Sequence, residues 1–415
     1  MIHFIQVILY NFAIQIYHLL IKFYALLGNQ KAKDWLKGRV ETWEMLNQFE
    51  PHKKVIWVHC ASLGEFEQGR PIIEQIKSQY VDYQIVLTFF SPSGYQIRKN
   101  YDLADLVCYL PLDTKRNAEI FINKINPSIA IFVKYEFWFQ HLKYLKKKQI
   151  PTYCVSVVFR PNQVFFKWYG SFFKRILQMF STIFVQQDSD QILLQSIDIQ
   201  SIVSGDTRVD RVANQVELVK KIPIVESFCA QHNVLICGST WPKDEAILNM
   251  LFEHLAPNFK VILAPHEIDE KHIENITKTL TVNYIRYSIV KENTNFESIK
   301  VLIIDNIGML SSIYQYGKIA YIGGGFGKGI HNTLEPLAFG LPVIIGPKFQ
   351  AFSEAKTLTN TTSAAIFSIK NESELVSIFD FLQLENNYKS SSASAIQFVN
   401  QNKGATDDIL KHIFS

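Results

Sequence analysis

No Cys-x-x-Cys pair occurs in this sequence, and its five cysteines, Cys60, Cys108, Cys154, Cys229 and Cys237, are odd in number and lie mostly inside apolar runs. That pattern fits reduced thiols in a cytoplasmic compartment rather than a disulfide framework. Charge of one sign is also scarce: 42 basic against 38 acidic residues leave a formal net charge of +4 over 415 residues. No global field argues for nucleic acid, so any basic function is local. His-x-x-x-His and His-x-His spacings are missing, and the sequence requires no metal. The Gly-x-Gly-x-x-Gly spacing of a dinucleotide fold and the Gly-Lys-Ser/Thr of a P-loop are missing too.

Uninterrupted apolar runs of about 18–20 residues, the length of a membrane crossing, are lacking. Residues 1–27 are rich in Ile, Leu, Phe and Tyr, but Asn11, Gln15, His18 and Lys22 fall on one helical face among them. With no basic start and no small-residue cleavage site, the segment does not read as a removable signal peptide. A helix embedded at a membrane surface is expected, the alternative being a core helix packed on the first domain. Lys31, Lys33, Lys37, Arg39, Lys53 and Lys54 follow it and are placed to meet lipid phosphates.

What is present is an alternation of short β-rich runs with helix-length segments. The first series is Lys54–His59, Gln84–Phe90, Ser128–Val133, Thr152–Val158 and Thr182–Val185. The second is Asn233–Cys237, Lys260–Ala264, Lys300–Ile304, Lys318–Ile322 and Pro342–Ile345. Near-continuous apolar strands of this kind predict parallel sheets covered on both faces. The fold class expected is α/β, two Rossmann-like doubly wound domains facing a central cleft. The expected division is a membrane-associated helix over 1–27, an N-terminal domain over 28–212 and a C-terminal domain over 213–415, the final helix being free to pack back on the N-terminal domain.

The most informative stretch runs from Gly323 to Pro342, with five glycines within seven positions before His331, Asn332 and Glu335. Amides of Gly325 and Gly327 and a following helix N-terminus would suit an anion such as phosphate. Asn332 and Glu335 also have the spacing of a capping box, the purely structural alternative. Glu65, in His59-Cys60-Ala61-Ser62-Leu63-Gly64-Glu65, falls at a strand's carboxyl end beside a helix start, where active sites of open sheets lie. It is a candidate general base, a role typically contributing about 10²- to 10⁴-fold in rate. The structural alternative is a carboxylate that answers the helix dipole. Glu136, in Lys134-Tyr135-Glu136-Phe137-Trp138, sits at a second strand end. The segment Phe165 to Ile176 interleaves aromatic and basic residues and suits either acyl chains or an amphipathic helix with its lysines in solvent.

Taken together the motifs resemble the 3-deoxy-D-manno-octulosonic acid (Kdo) transferases. The resemblance rests on the segment His59 to Glu65, Ser91-Pro92-Ser93-Gly94, Leu110-Pro111-Leu112-Asp113, Glu136-Phe137-Trp138, Gly205-Asp206-Thr207-Arg208-Val209-Asp210, Gly238-Ser239-Thr240 and His331-Asn332-Thr333-Leu334-Glu335-Pro336. It implies a GT-B glycosyltransferase that moves Kdo from CMP-Kdo to a lipid A precursor, lipid IVA, with inversion and without a metal, at the cytoplasmic face of the bacterial inner membrane. It also implies that Glu65 is the general base and Glu136 an acid of the acceptor cleft. Ser239, His266, Gly308, Met309, Asn332 and Glu335 match positions around CMP, and Arg208 matches a position at the hinge facing it. A GT-B-like sugar-nucleotide epimerase and a non-catalytic membrane glycolipid-binding protein are the alternatives.

Overall fold

In the computed structural model, which describes residues 2–359 and 363–415, fourteen strands form two parallel seven-stranded sheets. The first holds β1 (Lys54–Cys60), β2 (Tyr83–Phe89), β3 (Leu106–Tyr109), β4 (Pro127–Val133), β5 (Thr152–Val157), β6 (Thr182–Val185) and β7 (Ile202–Val203) in the order β3-β2-β1-β4-β5-β6-β7. The second holds β8 (Asn233–Thr240), β9 (Phe259–Pro265), β10 (Tyr284–Arg286), β11 (Val301–Ile303), β12 (Ile319–Ile322), β13 (Val343–Ile345) and β14 (Ile366–Ser368) in the order β10-β11-β9-β8-β12-β13-β14. The chain divides into two compact units, Met1–Asp210 with Lys403–Ser415, and Arg211–Asn402.

Both faces of each sheet are covered, which is why the strands read as apolar runs rather than alternations. Along β1, Val55 and Trp57 enter one core with Phe121 and Phe132, while Ile56, Val58 and Cys60 enter the opposite core with Phe66 and Ile73. In each sheet the chain moves outward on one side and then returns to the other, so strand order reverses between β1 and β4 and again between β8 and β12. Open α/β sheets take ligands outside the carboxyl ends of the strands at such reversals.

Helix α1 (Ile2–Leu26) lies along the first unit instead of inside it. Val7, Tyr10, Ile14, Ile21 and Ala25 face the unit. The polar contacts hold it there: the Tyr10 hydroxyl donates to the buried Asp113 carboxylate, and Gln140 Nε2 donates to Asn11 Oδ1 at 2.6 Å. Outward, Phe4, Leu9, Phe12, Leu19 and Phe23 are all more than half exposed. Averaged over Phe4–Leu26 the hydropathy is 1.6, enough for a membrane span by length and composition alone, although polar residues interrupt the run.

Helix α2 (Gln30–Gln48) corrects one expectation. Arg39 does not reach outward to lipid phosphates: it is buried, its guanidinium 3.5 Å from the Trp35 ring centroid and donating through Nη2 to the Phe90 carbonyl at 3.0 Å. Lys31, Lys33, Lys37, Lys53 and Lys54 are exposed. The aromatic and basic segment is split as well. Phe165, Phe172 and Ile176 join the core, whereas Trp168 is 94% exposed.

The motif from Gly205 to Asp210 serves the frame of the first unit. Thr207 donates to the Gln68 carbonyl at 2.6 Å, and Asp210 accepts from the amide and hydroxyl of Thr406, each at 2.7 Å. The last helix, Ala405–Phe414, puts Ile409, Leu410 and Ile413 into the core beside α3 (Leu63–Gln79), and Phe414 stacks on Tyr80 at 3.7 Å.

Candidate active site

At the reversal point of the first sheet, β1 ends at Cys60 and α3 starts three residues later, with Ser62 as its N-cap residue and Glu65 in its first turn. Ser62 caps no backbone amide; its hydroxyl donates to Glu65 Oε2. Glu65 is half-buried beside the helix N-terminus.

Glu136 follows β4 in a turn that Lys134 enters with φ of 60°, a left-handed conformation that costs a non-glycine residue energy and re-aims the chain. Two donors meet on Glu136 Oε2: Trp138 Nε1 at 2.7 Å and His59 Nε2 at 3.0 Å. His59 is fully buried, and its Nδ1 lies 2.8 Å from the Thr88 hydroxyl, which accepts from Trp57 Nε1 at 2.8 Å. Indole N–H groups only donate. Trp57 thus donates to the Thr88 hydroxyl, while His59 Nδ1 meets both that hydroxyl and the Thr88 carbonyl, the latter at 3.1 Å, and Nε2 faces Glu136 and the Trp138 indole. The buried His59 ring and the Trp138 indole together orient Glu136. Sequence reasoning quoted His59 within a motif but gave it no role. The available signal was an ionisable side chain inside an otherwise apolar strand.

In the second unit, the reversal point between β8 and β12 gathers the loops after four strands. Ser239, in a bulge of β8, has φ of 54°. Two residues on, Trp241 stacks its ring on His266 at 4.7 Å, and His266 stacks on His331 at 4.2 Å. Trp241 Nε1 donates to His331 Nε2 at 2.9 Å. Burial, then the nearby His266, pushes the His331 imidazole down to about 4. Ser239, His266 and His331 are thus brought together within the second unit. Gly308, with φ of 94°, and Met309 lie on the loop after β11 at the same edge of the sheet, where Asn306 Nδ2 donates to Met309 Sδ at 2.8 Å.

The glycine-rich turn is more self-contained than its composition suggests. The amides of Gly323, Gly327, Gly329, Ile330 and His331 donate to backbone carbonyls, and that of Gly324 donates to Asp244 Oδ2 at 2.8 Å. Among the described residues, no protein acceptor meets the amides of Phe326 and Lys328. Gly325 is set back to back with Gly346, where an added Cβ would lie 2.6 Å from the Gly346 Cα. Gly324 has φ of 93°, and a Cβ there would lie 2.4 Å from the Gly329 carbonyl oxygen. Gly327 is exposed. The capping box reading of Asn332 and Glu335 does not hold. The N-cap of the five-residue helix Leu334–Ala338 is Thr333, and Asn332 Oδ1 accepts from the Leu334 amide at 3.1 Å. Glu335 stands in the first turn of that helix.

Arg208 belongs to the first unit, with its guanidinium folded onto Asp206, Nη2 to Oδ2 at 2.6 Å and Nε to Oδ2 at 2.9 Å. The chain's Asp-x-Asp, Asp188-Ser189-Asp190, opens a helix. There Asp190 is buried and accepts from the amides of Phe159 and Gln187. Glu267, Asp269 and His272 offer ligand atoms within 4.8 Å of one another, but both acids are exposed, and His272 Nε2 is bonded to Glu245 at 2.9 Å.

Comparison with known proteins fits this geometry. Residues 36–211 match the family model of 3-deoxy-D-manno-octulosonic-acid transferase. The chain is 28% identical over 347 residues to the transferase of that name from Aquifex aeolicus, covering 80% of this chain and 89% of that protein. With the Haemophilus influenzae transferase it shares 29% over 317 residues, 73% of each chain. Among solved structures, UDP-GlcNAc 2-epimerase from Neisseria meningitidis superposes with a TM-score of 0.61 at 15% identity, covering 87% of this chain and 99% of that one. MurG of Acinetobacter baumannii gives 0.55 at 10% identity, covering 87% and 98%. These two likenesses concern the fold, and they agree with the GT-B class of paired doubly wound sheets.

Proposed function

Because the chain belongs to the 3-deoxy-D-manno-octulosonic acid transferase family, we propose that it is the inverting glycosyltransferase that moves Kdo from CMP-Kdo to the lipid A precursor, lipid IVA. The observation that carries this reading is the pair of carboxylates at the reversal point of the first sheet, each with one oxygen engaged by fixed donors. Ser62 holds Glu65 Oε2, which leaves Oε1 to draw the proton from an acceptor hydroxyl. His59 and Trp138 hold Glu136 Oε2, which leaves its other oxygen to orient that acceptor.

In this account the second unit binds the donor. Ser239, His266, His331, Gly308, Met309, Asn332 and Glu335 surround the nucleotide, with Gly325 and Gly327 in the adjoining turn, and Arg208 is a further candidate for donor binding. CMP leaves with a single phosphate, so neutral donors and the unengaged amides of the turn suffice to steady its charge without a metal. As the bond to CMP lengthens, the sugar carbon gains oxocarbenium character, and the acceptor oxygen attacks from the opposite face as Glu65 takes its proton.

Helix α1 supplies the membrane contact. Its polar contacts with Asp113 and Gln140 keep it against the unit, so it lies in the plane of the cytoplasmic face of the inner membrane with Phe12, Leu19 and Phe23 in lipid. A groove of about 410 Å³ beside it, lined by Tyr17, Ile21, Tyr24, Trp35 and Phe90, suits an acyl chain. Phe90 stacks at 4.5 Å on Trp138, the residue that holds Glu136. Incubation of purified protein with CMP-Kdo and lipid IVA, followed by mass spectrometry, tests the reading. A lipid heavier by Kdo is the expected result. An isomerised nucleotide sugar, or bound lipid with no product, contradicts it.

A further inference from the structure

The hydrogen bond from Trp241 to His331 carries a consequence for the ring nitrogen at its far side. An indole N–H cannot accept, so the nitrogen it meets, His331 Nε2 at 2.9 Å, bears a lone pair. The proton of the neutral imidazole is then on Nδ1, which engages no protein group among the described residues. We propose that Trp241 is a positioning residue that locks His331 in its Nδ1–H tautomer, so that the second unit presents a fixed N–H donor to the phosphate of a nucleotide or to the carboxylate of the sugar it carries.

The lock is itself held. One buried carboxylate, Asp244, accepts from the Trp241 amide at 3.0 Å and the Gly324 amide at 2.8 Å through Oδ2, and from the Tyr321 hydroxyl at 2.8 Å through Oδ1. The loop that carries the indole and the turn under the His331 ring are thereby fixed to the same group. Gly324 has to be glycine for this: an added Cβ would lie 3.1 Å from His331 Cδ2 and 3.3 Å from Nε2. On the other face the His266 ring closes the stack at 4.2 Å.

Proton uptake at Nε2 would set two N–H groups against each other, and burial, then the nearby His266, disfavours a positive charge on the ring, which agrees with the low proton affinity of His331. Of the other charged groups around the turn, Asp244 is engaged as above, Lys348 Nζ donates to the Gly327 carbonyl at 2.8 Å, and Lys328 is exposed. A donor that stays neutral keeps its strength across the physiological range and adds no net charge that would tighten retention of the spent nucleotide. A histidine left free would change both tautomer and charge near its ordinary value of about 6.5.

The identity of the ligand rests on the donor reading above; the tautomer does not. Two measurements separate them. In long-range ¹⁵N–¹H spectra of the full chain at pH 7, with the His331 signals assigned by their loss in His331→Gln, Nδ1 is expected to be protonated and Nε2 bare. An Nε2–H tautomer or an imidazolium at that pH overturns the proposal. Trp241→Phe keeps an aromatic ring and removes the N–H, so His331 should populate both tautomers and take up a proton at a higher pH than in the native protein. The affinity for CMP is then compared between the native protein and this variant from pH 5.5 to 8. Taking the ratio cancels the titration of the phosphate, and its value should shift by about threefold or more with pH. A constant ratio with an unchanged tautomer overturns the lock. Failure of the native protein to bind CMP, with Nδ1–H observed, contradicts the donor reading and leaves the tautomer assignment supported.

Discussion

At the scale of single residues, the Trp57, Thr88, His59, Glu136 and Trp138 chain shows how a buried polar relay is set by donors that cannot accept. Thr88 is its middle link and is fully buried. Thr88→Val, close in shape, leaves Trp57 Nε1 without a partner and His59 Nδ1 with the backbone carbonyl alone, so denaturant unfolding should show a loss of about 1–3 kcal/mol. Thr88→Ser should restore most of it, whereas equal stability of the Val and Ser variants would contradict the relay. His331 gives a second residue-level prediction. Its folded-state value, lowered to about 4, lies below the ordinary 6.5, so the unfolded chain takes the proton first. The contribution is complete above about pH 6.5 and declines as the pH falls towards 4. His331→Gln should flatten that part of the stability profile, measured as urea midpoints at pH 7, 6 and 5; an unchanged slope would contradict it. The positions of Glu65 and Glu136 beyond strand ends were legible in the sequence because each follows an apolar run within a few residues. The partners that orient them were not, since Thr88 and His59 meet only when β1 and β2 pair, and Trp241 and His331 are 90 residues apart.

At the scale of elements, the strands that the sequence revealed and those it hid differ in a physical way. All ten apolar runs became strands with neighbours on both sides. The four strands that sequence reading missed, β3, β7, β10 and β14, are the four sheet edges, two to four residues long. An edge strand has one hydrogen-bonding neighbour and partial solvent contact, so Tyr284–Arg286 and Ile202–Val203 never produce a continuous apolar signal. The glycine-rich turn was legible as a turn but not in its bonding, because internal use of its amides depends on Asp244 and Lys348, both distant in sequence. Helix α1 presents the reverse of a soluble amphipathic helix, with polar contacts inward and apolar side chains outward. Replacing Phe12, Leu19 and Phe23 together by Ser spares the inward contacts. It should lower partition onto vesicles of anionic and zwitterionic phospholipid about tenfold or more, read by co-sedimentation. Unchanged partition would remove α1 from the membrane role.

At the scale of the whole molecule, each unit carries one reversal point, and the two differ in chemistry. The first is lined by carboxylates oriented from behind, the second by an aromatic and imidazole stack over a glycine turn. That division suits a transfer in which one partner must lose a proton and the other must leave as an anion. Activity should survive chelation by EDTA, and a strict need for added Mg²⁺ would contradict the metal-free account. The most direct measurement of the central claim is the rate of Kdo transfer by Glu65→Gln, with saturating CMP-Kdo and lipid IVA, beside its affinity for CMP-Kdo. The account predicts a fall in rate of about 10² or more with donor affinity close to native; turnover near that of the native protein would contradict it.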